Sequence, residues 1–275
     1  MTEPLKLMAV LAHPDDESLG LGGLLAGCAA EGVETHLVTA TRGEAGRYRG
    51  QPPGSEAHPG TERLGRIRES ELRAAAAVLG IRGVSLLDYP DSRLDEADPR
   101  EAVRRIATQV RRLRPQVVVT FPPDGAYGHP DHVAISQLTT AAMVAAADAS
   151  FHLGTTGPSP HAVSKLYYMV SSHAVWEAYQ QAFRKLTSTV DGVERVALPW
   201  PDWAITTVVD AREHWPTVWR AVSCHESQIA SYERLMNLSP EAHEALWGKE
   251  ELYRAFSTVN GGRKREADVF EGLRG

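Results

Sequence analysis

Two short segments of this 275-residue chain concentrate histidine and aspartate at spacings suited to metal-assisted hydrolysis. The first is Ala12-His13-Pro14-Asp15-Asp16-Glu17 and the second is Tyr127-Gly128-His129-Pro130-Asp131-His132. Zinc binds imidazole nitrogen and carboxylate oxygen, and a catalytic zinc keeps one position open. His13 and Asp16 lie three residues apart where a strand would turn into a helix, so both can face one point. His132 can add a third ligand from a second strand end. Asp15 is then a spare carboxylate beside the metal, able to take a proton from water. His129 is a spare imidazole, suited to stabilise an oxyanion or protonate a leaving amine. Iron(II) fits the same donor set. Either segment alone could be a plain helix start, where acids cap the helix and favour its dipole. Two of them, each with a His-Pro-Asp core at a strand end, argue for a site.

These residues need a scaffold that brings two strand ends together. Leu7 to Ala12 is a continuous apolar run, as expected of a strand buried on both faces. Helical spacing follows over Ser18 to Glu31, then a strand over Val33 to Ala40. Arg42 to Gly60 reads as a long Gly/Pro-rich loop, a type that is usually functional or mobile. Thr61 to Leu79 reads as a helix ending at Gly80, and Val84 to Leu87 as a strand. Pro99 to Leu113 is a helix with proline near its start, Val117 to Phe121 a strand, and Asp131 to Ala147 a helix. Such alternation predicts an α/β, Rossmann-like, doubly wound and mostly parallel sheet, in which ligands sit beyond the carboxyl ends of the strands. Beyond Ser150 the pattern loosens. A Gly/Pro/Ser/Thr loop spans His152 to His161, and strands are expected at Leu166 to Val170 and Ile205 to Val209. Helices are expected at Trp176 to Leu186, Arg212 to Ser227 and Ser239 to Phe256, with a flexible turn at Gly261 to Lys264. No repeat or linker divides the chain, so one domain over 1–275 is expected. Residues 1–150 carry the motifs, and 151–275 are a C-terminal elaboration that shapes the pocket.

Composition narrows the function class. Hydrophobic residues at 43% and charged residues at 23% suit a globular enzyme. A net charge of −6 argues against a nucleic-acid partner, which would call for a surplus of Lys and Arg. Cys28 and Cys224 form no CxxC pair and suggest no disulfide framework. No apolar run approaches the roughly 20 residues of a membrane span, and the first is too short for a signal peptide, so a cytoplasmic location is expected.

Ala-His-Pro-Asp-Asp-Glu and His-Pro-Asp-His resemble the two signature motifs of the PIG-L/LmbE-like de-N-acetylase superfamily. The resemblance covers about the first 150 residues well and the remainder weakly. It is greatest to the mycothiol-pathway branch, the deacetylase and the conjugate amidase, through Asp98-Pro99-Arg100 and Arg114-Pro115-Gln116-Val117-Val118-Val119-Thr120. The resemblance implies one zinc per chain held by His13, Asp16 and His132, with Asp15 as general base. It also implies His129 at the tetrahedral intermediate and Tyr127 as a mobile contact to substrate or oxyanion. Arg68 would bind a polar or phosphate end of the substrate, and Asp91 and Glu44 sugar hydroxyls. Asp131 would orient His129 or cap its helix. Members of the family range from monomers to hexamers, so a homo-oligomer is compatible.

The implied reaction is hydrolysis of an N-acyl, most simply N-acetyl, amide on a small amino-sugar conjugate. Alternatives on the same scaffold are an amidase for a thiol conjugate or acylated antibiotic, and a non-catalytic sugar-binding protein. A binding protein would be expected to lack Asp15 or His129, and both are present. Gly20-Leu21-Gly22-Gly23 fails the dinucleotide pattern because Leu25 stands at its third glycine. No phosphate-binding GxxxxGK[ST], GxSxG elbow or HExxH helix occurs. Cys224-His225-Glu226-Ser227-Gln228 resembles a His-x-Ser/Thr-Gln element of the family, with a structural role expected for His225. The tryptophans Trp200, Trp203, Trp215 and Trp219 depart from the mycothiol enzymes; core packing is expected of them, with stacking on a sugar as the alternative.

Overall fold

The computed structural model describes residues 4–153, 157–183, 187–230, 233–262 and 264–274. In chain order the elements are β1 (Lys6–Leu11), α1 (Asp16–Ala30), β2 (Glu34–Thr39), α2 (Thr61–Leu79), β3 (Gly83–Leu86), α3 (Pro99–Leu113), β4 (Val117–Thr120) and α4 (Gly125–Gly128), a kinked turn. Then come α5 (Pro130–Ala147), β5 (Lys165–Met169), α6 (His173–Ala182), β6 (Thr187–Val190), β7 (Val193–Val196) and β8 (Thr207–Asp210). The last are α7 (Trp215–Ser223), α8 (Glu226–Ile229), α9 (Glu233–Met236), α10 (Pro240–Trp247) and β9 (Lys249–Ser257).

Seven strands form one sheet in the order β3-β2-β1-β4-β5-β9-β8. The first five are parallel, while β9 runs antiparallel to both β5 and β8. The expected doubly wound sheet is present. Its parallel strands lie between helices, which is why β1 from Leu7 onward and Val117 to Val119 of β4 are apolar and buried. From β1 the chain winds outward through β2 and β3, then returns to place β4 on the other side of β1. Loops leaving β1 and β4 therefore diverge, and the crevice between them is where α/β sheets hold ligands. Both His/Asp segments open into that crevice.

Local chemistry sets several boundaries where the sequence suggests them. Asp98 caps α3 by accepting from Arg100 N at 3.0 Å, with Pro99 in the first turn. Gly80 ends α2 in the left-handed conformation.

The C-terminal part departs from expectation in three places. Helix over Ser239 to Phe256 is wrong beyond Trp247: α10 stops there, and Lys249–Ser257 is a sheet strand. Its Lys, Glu, Leu, Arg and Ala favour helix intrinsically, but pairing with β5 and β8 on both sides outweighs that weak preference. The helix expected over Arg212 to Ser227 is broken at His225, whose backbone (φ −85°, ψ 52°) leaves the helical region. β6 and β7 pair as an antiparallel hairpin in a region where the sequence pattern suggests no strand. Residues 184–186 of the expected 176–186 helix, 154–156 of the 152–161 loop and Arg263 of the expected turn lie outside the described residues. Among the described residues no helix is long and apolar enough to cross a membrane.

Candidate metal centre

The two strand ends converge on three donor atoms. His13 Nδ1 and His132 Nε2 face each other at 3.2 Å. The Asp16 carboxylate closes the triangle, with Oδ2 3.7 Å from His13 Nδ1 and Oδ1 3.6 Å from His132 Nε2. Tetrahedral ligands at zinc bond lengths stand about 3.3 Å apart, so two neutral nitrogens and one carboxylate at these separations fit a zinc-sized cation. His13 and His132 are buried, and His132 stacks on Phe121 with ring centroids 3.7 Å apart.

The ligand positions are held from behind. Asp16 Oδ2 accepts from the His13 backbone N–H at 2.7 Å and from Ala12 N at 3.2 Å, so the strand end itself orients the carboxylate. His13 Nε2 lies 3.1 Å from Asp131 Oδ2 and 3.2 Å from Asp91 Oδ1. Asp131 is fully buried and also accepts from Ser92 N and Leu94 N at 2.7 and 3.0 Å. This corrects the expectation for Asp131. Its carboxylate orients His13, 118 residues away in the chain, because the first turn of α5 points it at the end of β1 rather than back at His129. A carboxylate behind a ligand histidine fixes the tautomer that leaves the other nitrogen for the metal. Burial alone would discharge His13, but Asp131, Asp91 and Asp16 outweigh it and raise its pKa to about 10. The site stabilises positive charge at this point.

Asp15 sits at the rim of the triangle. Its backbone has φ 113°, rare for a non-glycine residue, and such strain persists only where surroundings enforce it. Glu17 Oε2 accepts from the Asp15 N–H at 3.0 Å, and Arg68 Nη2 donates to Asp15 Oδ2 at 3.1 Å. Burial raises the Asp15 pKa against the pull of Arg68. Glu17 is in turn held by His225 Nε2 at 2.8 Å and Ser18 Oγ at 2.6 Å, and all three are buried. Burial works against charge on both Glu17 and His225, yet their mutual attraction lowers the first pKa and raises the second. His225 thus contacts Glu17, the carboxylate beneath Asp15. The sequence reading gave Glu17 no role, and the only hint was its place inside the first motif.

Arg68 is buried and also donates to the carbonyls of Gly43 and Pro14. This contact requires glycine at 43: its φ is +65°, and a Cβ there would fall 2.1 Å from Arg68 Nη1. Asp91 Oδ2 accepts from Ala45 N, and Glu44 Oε1 from Asp91 N, both at 2.9 Å. Arg68 and Asp91, expected to meet substrate, therefore hydrogen-bond to the residues flanking the triangle. Glu44 Oε2 is buried with no partner.

His129 caps α5: its Nδ1 accepts from Asp131 N at 3.2 Å. Nδ1 is thus unprotonated and Nε2 carries the hydrogen. Burial, then the nearby His13, lowers the His129 pKa to about 4 and keeps the ring neutral. Ring nitrogens of His13, His129 and His132 lie within 4.8 Å of one another. Tyr127 packs edge-on against both His129 and His132.

The pattern matches one known family. The model for GlcNAc-PI de-N-acetylase, PIG-L, matches residues 8–143. A relative from Kineococcus radiotolerans, 1D-myo-inositol 2-acetamido-2-deoxy-alpha-D-glucopyranoside deacetylase, is 34% identical over 99% of this chain and 84% of its own length. This chain belongs to the PIG-L family. The fold is shared with the N,N'-diacetylchitobiose deacetylase of Pyrococcus horikoshii, at TM-score 0.66 and 18% identity over 90% of this chain and 83% of that one. It is also shared with the 4-carboxy-2-hydroxymuconate hydratase of Pseudomonas putida KT2440, at TM-score 0.65 and 20% identity over 94% and 99%. The fold therefore carries more than one chemistry, and site residues must decide which applies.

Proposed function

We propose that this chain is a zinc-dependent hydrolase that removes an N-acyl group from an amino-sugar conjugate in the cytoplasm. The observation that carries the reading is the triangle of His13, Asp16 and His132 with Asp15 at its rim. His13 Nδ1, His132 Nε2 and the Asp16 carboxylate would hold the metal, whose chemistry is to polarise the amide carbonyl and acidify a water.

The remaining steps belong to the chain's own residues. Arg68 anchors Asp15 Oδ2, leaving Oδ1 to take a proton from the attacking water. Because burial raises its pKa, Asp15 takes up that proton more readily than an ordinary carboxylate would. As the carbonyl carbon becomes tetrahedral, the Nε2–H of neutral His129 donates to the developing oxyanion, with Tyr127 beside it. The C–N bond breaks, Asp15 passes its proton to the departing nitrogen, and the carboxylic acid and free amine leave. Arg68 and Asp91 act through Asp15 and His13.

The test is amine release from GlcNAc, diacetylchitobiose and GlcNAc-inositol by chelated and zinc-restored protein, with metal content measured alongside. Release that depends on zinc and vanishes in Asp15→Ala with zinc still bound supports the assignment. Near-normal turnover in metal-loaded Asp15→Ala overturns it.

A further inference from the structure

A cavity of about 220 Å³ opens beside the triangle, with Asp15, Asp16, Tyr127 and His132 at its inner end. Away from the metal the walls are aromatic and aliphatic: Phe121, Met169, Val175, Trp176, Phe183 and Trp200. Trp247 Nε1 on the far wall is buried without a partner among the described residues, but the carboxylates and the tyrosine hydroxyl there are satisfied. Glu251 accepts from Ser172 N and Oγ and from Lys249, Glu250 from Gly23 N, and the Tyr179 hydroxyl donates to Leu19 O. An apolar cavity of about 150 Å³ is enough to take up benzene, so this one has room for a ring or a medium alkyl chain. The methyl of an acetyl group would leave most of it empty. At the rim, Leu198 is 72% exposed, continuing the apolar surface outward. Arg68, Asp91 and Glu44 are not among the lining residues, so the polar and apolar faces of the site are separate. Apart from Phe121, the named apolar walls all come from residues beyond 150.

We propose that the substrate carries a bulky hydrocarbon group, aliphatic or aromatic, next to the scissile amide, and that this cavity binds it. The proposal rests on the hydrolase reading above and names the substrate class within it. Two positions on an amino-sugar conjugate can supply such a group: the acyl chain, or an apolar substituent on the sugar.

Two substrate series separate these sources: N-acetyl to N-octanoyl glucosamine, and methyl to octyl N-acetylglucosaminide. In one of them kcat/KM rises by about fourfold per buried methylene, or about 250-fold over the first four. Val175→Phe narrows the cavity and Leu198→Asp charges its mouth. Each lowers kcat/KM for the octyl members far more than for the shortest one and so flattens the series, and Leu198 is exposed enough for its replacement to leave packing undisturbed. Calorimetry on the zinc-loaded protein with octanoate and octyl glucoside, against acetate and methyl glucoside, reads the cavity without turnover. Tighter binding of an octyl compound with a negative heat-capacity change, lost in Leu198→Asp, supports the proposal even where no amide is cleaved; that outcome removes the hydrolase reading alone. If short amides are cleaved but neither series gains and neither octyl compound binds better, the hydrolase reading stands and the hydrocarbon-bearing substrate is overturned.

Discussion

Replacing Glu17 tests whether the site depends on the layer beneath it. Its carboxylate accepts from Asp15 N at 3.0 Å, His225 Nε2 at 2.8 Å and Ser18 Oγ at 2.6 Å. In Glu17→Ala all three donors lose that acceptor where water does not reach. A stranded buried donor costs about 1–3 kcal/mol, and breaking a buried ion pair about 3–5 kcal/mol. These overlap rather than add, so the expected loss is about 3–5 kcal/mol, a large fraction of an ordinary protein's stability. Glu17→Gln keeps one acceptor oxygen and should cost less, about 1–2 kcal/mol. Both variants release Asp15 from its φ of 113°, while His13, Asp16 and His132 keep their own supports. Urea unfolding followed by fluorescence measures the first effect; zinc content and amine release measure the second. The expected result for Glu17→Gln is a zinc-replete protein with turnover reduced at least tenfold. A double-mutant cycle with His225→Gln should give a coupling above about 1 kcal/mol. Glu17→Ala unfolding within about 1 kcal/mol of the parent would refute the argument, because buried donors would then not need this carboxylate.

The other expectations are independent of that pair. Glu250 is buried, which raises its pKa from 4.5 to about 8 against hydrogen bonds from Gly23 and Leu24. The folded chain therefore binds more protons than the unfolded one between those values, and stability falls as pH rises through that window. Glu250→Gln should melt above the parent at pH 8 and lose that advantage near pH 5; an equal difference at both would show that its titration is irrelevant. Lys165 is fully buried, with Nζ 2.7 Å from Glu266 Oε1 and 2.6 Å from Glu271 O. Lys165→Met should lower unfolding free energy by about 3–5 kcal/mol with zinc content unchanged, checked by denaturation and metal analysis. Gly43→Ala should destabilise and cut turnover together, since the new Cβ meets Arg68; normal kinetics would place Arg68 outside the catalytic support. Chelation should lower the melting temperature and zinc should restore it, as for any ligand that binds only the folded state.

What the sequence conveyed depends on how local each cause is. β1 and β4 are legible because strands buried on both faces must be apolar throughout, and α3 because its cap and proline stand at its first turn. The two motifs are legible for the same reason: His13 and Asp16 are fixed by one turn of chain at a strand end. β9 is not legible, since its strand conformation comes from β5 and β8 on either side, and its own residues favour helix. The support of the site is hidden similarly. Asp131 reaches His13 across 118 residues and His225 reaches Glu17 across 208, and no spacing rule connects such positions. In the sequence His225 stands only inside an expected helix and a short His-x-Ser-Gln element, and its contact with Glu17 is definable only once the fold brings α1 beneath it. Residues that touch a metal lie in compact motifs because strand ends are local structures. Residues that orient them come from wherever the fold brings a neighbour, so the partners of Glu17 and Asp131 emerge only in the structure.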